Sequence, residues 1–180
     1  MAGLSVFENN LFEVHYTILD HKIDTIAYLF KGKDTTKIDL RKSGFKGGKW
    51  VKDLKTAFET NNPTDEIIIE DTIYKAADLF HLINVKKGKK LGVIMDHAAS
   101  ATNHKNILET FTDADQVFIE SFYKAEDKEG AIANYHSYSS ESGRIMKACN
   151  VQDAIPVHFS RKYSEIDINE LLQELSLIHI

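Results

Sequence analysis

Three short apolar runs in this chain each end in a side chain that can bind a metal ion or carry a proton. An apolar run of this length predicts a buried strand, and α/β proteins place their chemistry where such strands end. The runs and the residues that follow them are 91–95 before Asp96, 116–119 before Glu120, and 154–157 before His158. We therefore expect one polar sheet edge that carries metal-type ligands.

Two further sets of polar residues belong to this expected edge. Segment 158–163 reads His-Phe-Ser-Arg-Lys-Tyr, which places a hydroxyl, two cations and a phenol at the rim of the sheet. His136 lies just before a helix expected at 141–149, whose N-cap we assign to Ser139 or Ser140. Because a helix N-terminus favours anions over cations, we expect His136 to be a neutral imidazole.

Composition and charge exclude several classes of protein. At 180 residues, with 43% hydrophobic and 27% charged residues, the chain fits one globular domain, which we assign to residues 1–180. The net charge of −5 argues against a surface that generally coats nucleic acid, and the single Cys149 rules out an internal disulfide framework. With no apolar run near the ~20 residues of a membrane span and no visible secretory signal, we expect a cytoplasmic protein without membrane contact.

Segment 31–60 stands out because it is rich in lysine and glycine. A helix is expected at 48–58, with Trp50, Leu54 and Phe58 on one face. One interpretation is an excursion that covers a sheet edge, and the other is a basic, aromatic-bearing surface for a phosphate-rich ligand. Composition alone favours the first.

The rest of the chain has the rhythm of a βαβ protein. We expect a hairpin over 11–30, followed by strands that alternate with helices. Helices are expected at 72–80 and at 103–110, the latter with Asn103 as its N-cap, and 124–130 is a charged loop that could cover a site. Four other histidines are interpreted as surface residues: His15, His21, His97 and His104.

The order of these motifs resembles the C-terminal half of ribonuclease Z, the 3′-tRNA-processing endonuclease family of the metallo-β-lactamase superfamily. The matching elements are Asp96 after a strand, Asp115-x-x-x-x-Glu120, His136-Ser137 before a helix, and His158-Phe159-Ser160-x-x-Tyr163. Segment 20–28 looks like the family's strand–turn–strand, and 37–54 looks like its short helix and Gly-Pro-rich turn. The resemblance covers residues 11 to 165.

The resemblance implies a role for each matching residue. Asp96 would bridge two metal ions, normally zinc, and His158 would be a terminal ligand of one of them. Glu120 and His136 would form a pair that handles the proton of the leaving oxygen of a phosphodiester. A phosphate-holding cluster would consist of Ser160, Lys162 and Tyr163.

The chain also departs from the family pattern. His97 follows Asp96 where the family usually has Thr, and Ile119 precedes Glu120 where the family usually has His. Lys162 replaces an Arg that would bind phosphate bidentately. The H-x-H-x-D-H run, which supplies most metal ligands from the first half of the family's fold, is absent from these 180 residues.

The resemblance therefore implies an α/β fold that is half of a metallo-β-lactamase αββα sandwich, a mixed sheet with helices on one face. The uncovered face would pack on a missing N-terminal half or on a second copy in a homodimer. Two functions stay open. The chain is a partial unit of a zinc-dependent, ribonuclease Z-like phosphodiesterase for tRNA 3′ processing, or a non-catalytic half-domain that dimerises or binds a partner or RNA.

Overall fold

The structure is a computed structural model that describes residues 4–179, with side chains described for residues 4–176. The chain divides into two compact units, one formed by Met1–Lys33 with Lys89–Ile180 and the other by Asp34–Gly88. Most of the basic segment 31–60 lies in the second unit, and the assignment of one domain to the whole chain stays a prediction. Among helices within residues 4–179, none has the length and apolar character needed to cross a bilayer.

The elements alternate along the chain as a mixture of strands and helices. In chain order they are β1 (Leu4–Glu8), β2 (Phe12–His21), β3 (Ile23–Gly32), β4 (Thr35–Ile38), α1 (Leu40–Ser43), α2 (Lys49–Glu59), β5 (Glu66–Ile69), β6 (Thr72–Lys75), α3 (Ala76–Leu79), β7 (Ile83–Lys86), β8 (Lys90–Ile94), α4 (Ala101–Phe111), β9 (Gln116–Glu120), α5 (Lys128–Ala133), α6 (Ser139–Ala148), β10 (Asp153–Val157) and α7 (Glu165–His179). Single 3₁₀ turns occur at Phe80–Leu82 and Ala125–Asp127.

A six-stranded mixed sheet forms the first unit, in the order β1-β2-β3-β8-β9-β10. Strands β1, β2, β3 and β8 pair antiparallel in this order, and the β2–β3 pair confirms the predicted hairpin. Strands β8, β9 and β10 pair parallel. Helix α4 connects β8 to β9, and α5 and α6 connect β9 to β10, as expected of βαβ units. The C-terminal ends of the three parallel strands therefore meet at one edge of the sheet.

One face of this sheet is packed against helices. Four residues lie side by side in register across it: Leu29, Gly92, Val117 and Ala154. They share a core with buried side chains from α4, α6 and α7, among them Phe111, Met146 and Leu175. This packing confirms the predicted fold class, a mixed α/β structure with helices on one face of the sheet.

The other face of the sheet carries apolar side chains that stay exposed. Ile18 lies opposite Ile26, and Tyr28 lies opposite Val93, on positions that alternate with the core residues. Ile18 is 47% exposed and Ile26 is 49% exposed, and Leu91 on the neighbouring strand adds to the same stripe. An apolar stripe of this kind is typical of an interaction surface.

The second unit has a small core of its own. It contains the antiparallel β4–β7 pair, the β5–β6 hairpin and helix α2, whose Trp50 and Leu54 are buried with Ile67 and Leu82. Helix α2 confirms the expectation for 48–58. The prediction of a helix over 72–80 is wrong in its first half, because residues 72–75 pair with β5 and only the following four residues are helical.

Two predicted helix caps are wrong by a few residues. Ser100 caps α4 by accepting a hydrogen bond from the Asn103 N–H at 3.2 Å, while the Asn103 side chain is buried and donates to the Asp20 carbonyl at 2.9 Å. Helix α6 has Tyr138 at its N-cap position, and the hydroxyl of Ser139 donates to Glu174 of α7 instead. In both cases a residue distant in the chain forms a hydrogen bond with the side chain that the sequence pattern assigned to the cap.

The charged segment 124–130 is a 3₁₀ turn followed by the start of α5, and not an open loop. The ammonium group of Lys124 is largely buried and lies 2.6 Å from Glu170 and 3.4 Å from Asp167, both on α7. Hydrogen bonds to these carboxylates raise the pKa of Lys124, so the amine stays protonated. The segment is therefore tied to the C-terminal helix.

Replacing Gly92 with Ala should destabilise the first unit. A Cβ atom at this position would lie 2.8 Å from a ring carbon of Phe111 and 2.9 Å from a methyl group of Val117. Such overpacking typically costs about 1–3 kcal/mol. Urea unfolding followed by circular dichroism measures the loss in the free energy of unfolding.

Gly130→Ala is the matched control for this substitution. Gly130 lies in helix α5, where an added Cβ meets only a Tyr123 ring carbon at 3.8 Å. Because alanine favours helix more than glycine does, we expect this variant to gain up to about 1 kcal/mol. Equal stability of Gly92→Ala and the unmodified chain would contradict the tight approach of α4 to the sheet.

Candidate metal and proton-transfer site

The parallel strand ends bring four predicted site residues together in the first unit. Asp96 comes just after β8, Glu120 ends β9, His158 follows β10, and His136 comes from the segment before α6. Each offers one ligand atom, and these four atoms lie within 4.8 Å of one another. The cluster is thus a group of side chains that could hold a metal ion.

Glu120 is the buried centre of this cluster and has no solvent exposure. Its carboxylate accepts hydrogen bonds from Nδ1 of His136 at 2.5 Å, from the backbone N–H of His97 at 2.8 Å and from that of Ser137 at 3.3 Å. Because an ionised carboxylate only accepts, Nδ1 of His136 carries a proton, which leaves Nε2 as the ring nitrogen available to other partners. Glu120 therefore fixes both the tautomer and the orientation of His136.

The ionisation state of Glu120 follows from its surroundings. Burial raises the pKa of Glu120, but the hydrogen bond from His136 and the proximity of His97 outweigh this effect and lower it from 4.5 to about 2. The group is therefore a carboxylate at neutral pH. A fixed carboxylate behind an imidazole stabilises the imidazolium, which suits the imidazole for proton transfer.

Asp96 and His158 lie next to each other without a hydrogen bond between them. Nδ1 of His158 lies 3.2 Å from Oδ1 of Asp96, yet this buried nitrogen has no hydrogen-bond partner among the described residues. Two ligands of one tetrahedral zinc ion lie about 3.3 Å apart, so the pair fits a shared cation. His158 has a left-handed backbone conformation with φ of 60°, a strain that non-glycine residues often show at functional sites.

Two rings that were not assigned to the site from sequence border His136. The Phe122 ring stacks on it with centroids 4.0 Å apart and planes 7° apart, and the His21 ring lies 4.4 Å away. Nδ1 of His21 donates to the Tyr135 carbonyl at 2.6 Å, so its Nε2 is left as the acceptor nitrogen. His21 is the last residue of β2, next to the predicted turn, and is partly exposed, but its contact with His136 was not predicted.

His97 is fully buried, which contradicts its prediction as a surface residue. Its Nδ1 lies 3.6 Å from Oε2 of Glu120, and neither ring nitrogen has a hydrogen-bond partner within the described part of the chain. His104 is also mostly buried, with 15% of its side chain exposed, and it contacts Glu141 and Arg144 of α6. Both imidazoles fill space behind the site.

The three residues predicted to hold phosphate follow β10 in a tight turn. The Tyr163 N–H donates to the Ser160 carbonyl at 3.2 Å. Lys162 lies over the Tyr123 ring, with Nζ 5.0 Å from the ring centroid. Lys162 and Tyr163 are both hydrogen-bonded to the carboxylate of Asp127 from the 3₁₀ turn.

Solved structures define the class to which this architecture belongs. The short form of human tRNase Z matches with a TM-score of 0.53 and 13% identity, covering 89% of this chain and 40% of that protein. The metallo-β-lactamase fold protein YhfI from Bacillus subtilis matches with a TM-score of 0.55 and 10% identity, covering 99% of this chain and 47% of that protein. The chain has a metallo-β-lactamase fold.

Sequence relatives narrow this class. Ribonuclease Z from Borreliella burgdorferi is 28% identical over 185 residues, covering 97% of this chain and 52% of that protein. Ribonuclease Z from Protochlamydia amoebophila is 26% identical over 171 residues, covering 94% of this chain and 51% of that protein. No family model matches the chain. The chain resembles ribonuclease Z in sequence, and it spans about half the length of the relatives it matches.

Replacing Glu120 with Gln should destabilise the chain, because an amide group would face N–H donors that need an anionic acceptor. We expect a loss of about 2–4 kcal/mol near neutral pH. The lowered pKa of Glu120 makes its stabilisation complete above pH 4.5, and this contribution is lost as the pH falls toward 2. That pH-dependent part amounts to about 3 kcal/mol.

Urea unfolding at neutral pH and through this acidic window measures both effects. Glu129→Gln, on the exposed surface of α5, is the matched control and should leave stability and its pH dependence nearly unchanged. An acid-induced loss of stability that is equally large in Glu120→Gln and in the unmodified chain would show that Glu120 is not the group that titrates.

Proposed function

We propose that this chain is one part of a metal-dependent, ribonuclease Z-like phosphodiesterase that acts in tRNA 3′ processing. The observation that carries the proposal is the pairing within the cluster. Asp96 and His158 lie 3.2 Å apart without a hydrogen bond between them, and beside them Glu120 orients the imidazole of His136. The first pair suits a metal ion, and the second pair suits proton transfer to a phosphodiester.

Asp96 and His158 are the residues that would hold zinc. A bound zinc ion would supply Lewis-acid polarisation of the phosphate group. Carboxylate oxygen and imidazole nitrogen are both common zinc ligands, and Nδ1 of His158 has no hydrogen-bond partner among the described residues. A tetrahedral zinc site has four ligands, so this pair alone would leave the coordination incomplete.

His136 would donate the proton that the leaving oxygen needs. Its Nδ1–H is held by Glu120, so Nε2 is the atom that carries the transferred proton, and the buried carboxylate stabilises the imidazolium. As a water molecule forms a new P–O bond and the P–O bond to the leaving oxygen breaks, that oxygen takes the Nε2 proton of the imidazolium, and the proton of the attacking water passes to solvent. The non-bridging phosphate oxygens would be bound by Ser160, Lys162 and Tyr163.

A partner would cover the exposed apolar face of the sheet and complete the ligand set. Glu120 and Phe118 alternate with the core residues of β9, so both belong to the uncovered face, and the cluster lies at its rim. A protein surface that buries this stripe would thus reach the metal-binding pair. We propose an N-terminal half that carries an H-x-H-x-D-H run as this partner, and a homodimer as the alternative.

Mixing the chain with the N-terminal half of the Borreliella burgdorferi ribonuclease Z, together with zinc, should produce phosphodiesterase activity that neither part shows alone. Hydrolysis of bis(p-nitrophenyl) phosphate and cleavage of a precursor tRNA provide the measurement. His136→Ala should lower kcat about 100-fold or more, because the proton donor is lost. Zinc content, measured by mass spectrometry, should fall in Asp96→Asn and stay unchanged in His136→Ala.

A pair of surface variants separates a failed association from a failed activity. Ile26→Asp places a charge on the exposed sheet face and should prevent the two parts from associating. Leu108→Asp makes the same change on α4, where Leu108 is 41% exposed, and should leave association intact. A zinc-loaded complex without activity would contradict the hydrolase. Self-association of the chain alone, abolished by Ile26→Asp, would favour the homodimer.

The alternative function, a non-catalytic half-domain that binds RNA, is favoured by one feature of the second unit. Residues 37–55 contain seven Lys or Arg against two Asp, although the whole chain has a net charge of −5. Lys46, Lys49 and Lys52 are exposed around the start of α2. Such a local excess of cations suits a phosphate backbone.

Replacing Lys46, Lys49 and Lys52 together with Ala should weaken RNA binding at low salt and flatten its salt dependence. The loss of up to three phosphate contacts should reduce the slope of log K against log salt by about two to three units. Fluorescence anisotropy with a labelled tRNA measures both. The control replaces Lys75, Lys86 and Lys105, three exposed lysines on separate elements, with Ala. Equal RNA affinity of the two triple variants would contradict a binding surface at α2.

A further inference from the structure

The hydroxyl of Tyr163 has no hydrogen left for a phosphate. It donates its single proton to Oδ2 of Asp127 and accepts a hydrogen bond from the Lys124 N–H at 2.8 Å. A phenol has one donor, so Tyr163 cannot donate to a phosphate oxygen while it is bonded to Asp127. The predicted phosphate-holding role of Tyr163 therefore requires this bond to break.

Lys162 is engaged by the same carboxylate oxygen. Its Nζ lies 2.8 Å from Oδ2 of Asp127, so one anionic oxygen takes donors from both a cation and a phenol. An oxygen of a bound phosphate would take these same two donors. Among the described residues, Asp127 makes no other side-chain hydrogen bond, although it is the N-cap residue of α5.

We propose that Asp127 is an internal competitor for phosphate, which occupies the donors of Lys162 and Tyr163 until a phosphate group displaces it. This inference rests on the proposed phosphate cluster and adds a residue that sets its affinity. Binding of a phosphate monoester or diester then requires the Asp127 side chain to turn away toward solvent. The same competition makes the site select anions that accept from both donors at once over anions that accept from one.

The surroundings allow this exchange without unfolding the turn. The Asp127 side chain is 33% exposed and that of Lys162 is 47% exposed, so water can solvate the released carboxylate. The backbone next to it is held independently, since the Ala125 N–H donates to Glu174 of α7 at 2.9 Å. A rotation about the side-chain bonds of Asp127 is therefore sufficient.

The protonation states of Asp127 and Tyr163 are consistent with one carboxylate that accepts from both a cation and a phenol. Hydrogen bonds from Lys162 and Tyr163 lower the pKa of Asp127, so it is ionised at neutral pH. Burial, followed by the bond to Asp127, raises the pKa of Tyr163, so the phenol keeps its proton. Neither group has to titrate for the exchange with phosphate to occur.

Titration of the full chain with inorganic phosphate at low ionic strength tests the proposal, with the Kd read from the amide signals of Lys162 and Tyr163 by NMR. Asp127→Ala should tighten phosphate binding about threefold to tenfold, because the competing acceptor is gone. Asp127→Asn should give a smaller gain, since an amide oxygen can still accept from Tyr163. In a Lys162→Ala and Tyr163→Phe background, Asp127→Ala should have no effect.

Asp34→Ala is the matched control for the removal of one negative charge. Asp34 makes the same kind of exposed pair with Lys87, at 2.7 Å, in the second unit, and its removal should not change the Kd for phosphate. Equal or weaker binding by Asp127→Ala, together with weaker binding by Lys162→Ala, would overturn the competition and leave the phosphate cluster in place. Phosphate affinity that is insensitive to both Lys162→Ala and Tyr163→Phe would overturn the cluster, and the competition with it.

Discussion

The burial of one negative charge constrains the whole site. Glu120 has no exposure at the end of β9, and an unpaired carboxylate there would cost several kcal/mol. Its hydrogen bonds come from the His97 backbone after β8 and from His136 and Ser137 before α6. The need to satisfy this carboxylate thus ties both crossover segments to the central strand. These hydrogen bonds offset the cost of burying Glu120, and they also fix the orientation of the His136 imidazole.

The sheet fixes where the other residues of the site lie relative to Glu120. Gly92 lets Phe111 of α4 approach β8 closely, so the strand and its crossover helix leave little room for adjustment. The parallel register then sets Val157 beside Glu120, and His158 is the next residue along β10. A tight core and a fixed register therefore decide where an imidazole and a carboxylate meet, although neither Gly92 nor Phe111 carries any chemistry.

Sequence patterns predicted the parts of this site that depend on local order. Apolar runs with abrupt polar ends predicted three strand ends, and the order of the motifs indicated the family. Contacts between distant segments gave no such signal. His97 follows a strand, where no periodicity distinguishes a buried ring from an exposed one, and it is buried beside Glu120. His21 contacts His136 only because the folded sheet brings the two residues together. Asn103 does not cap α4, because its side-chain amide donates a hydrogen bond to the Asp20 carbonyl. Tertiary partners, absent from any local window, decided these three residues.

The proposed metal-binding pair and the exposed sheet face are two aspects of one geometry. The stripe that contains Ile18 and Ile26 belongs to the same face as Glu120, so a partner surface on that stripe would end beside Asp96 and His158. If the partner supplies the missing ligands, zinc and partner must bind cooperatively, because each completes the contacts of the other. Linkage requires that zinc tighten the association by the same factor by which the partner tightens zinc. The affinity of the isolated chain for zinc would then understate that of the assembled site, and the difference is the free energy that couples assembly to metal binding.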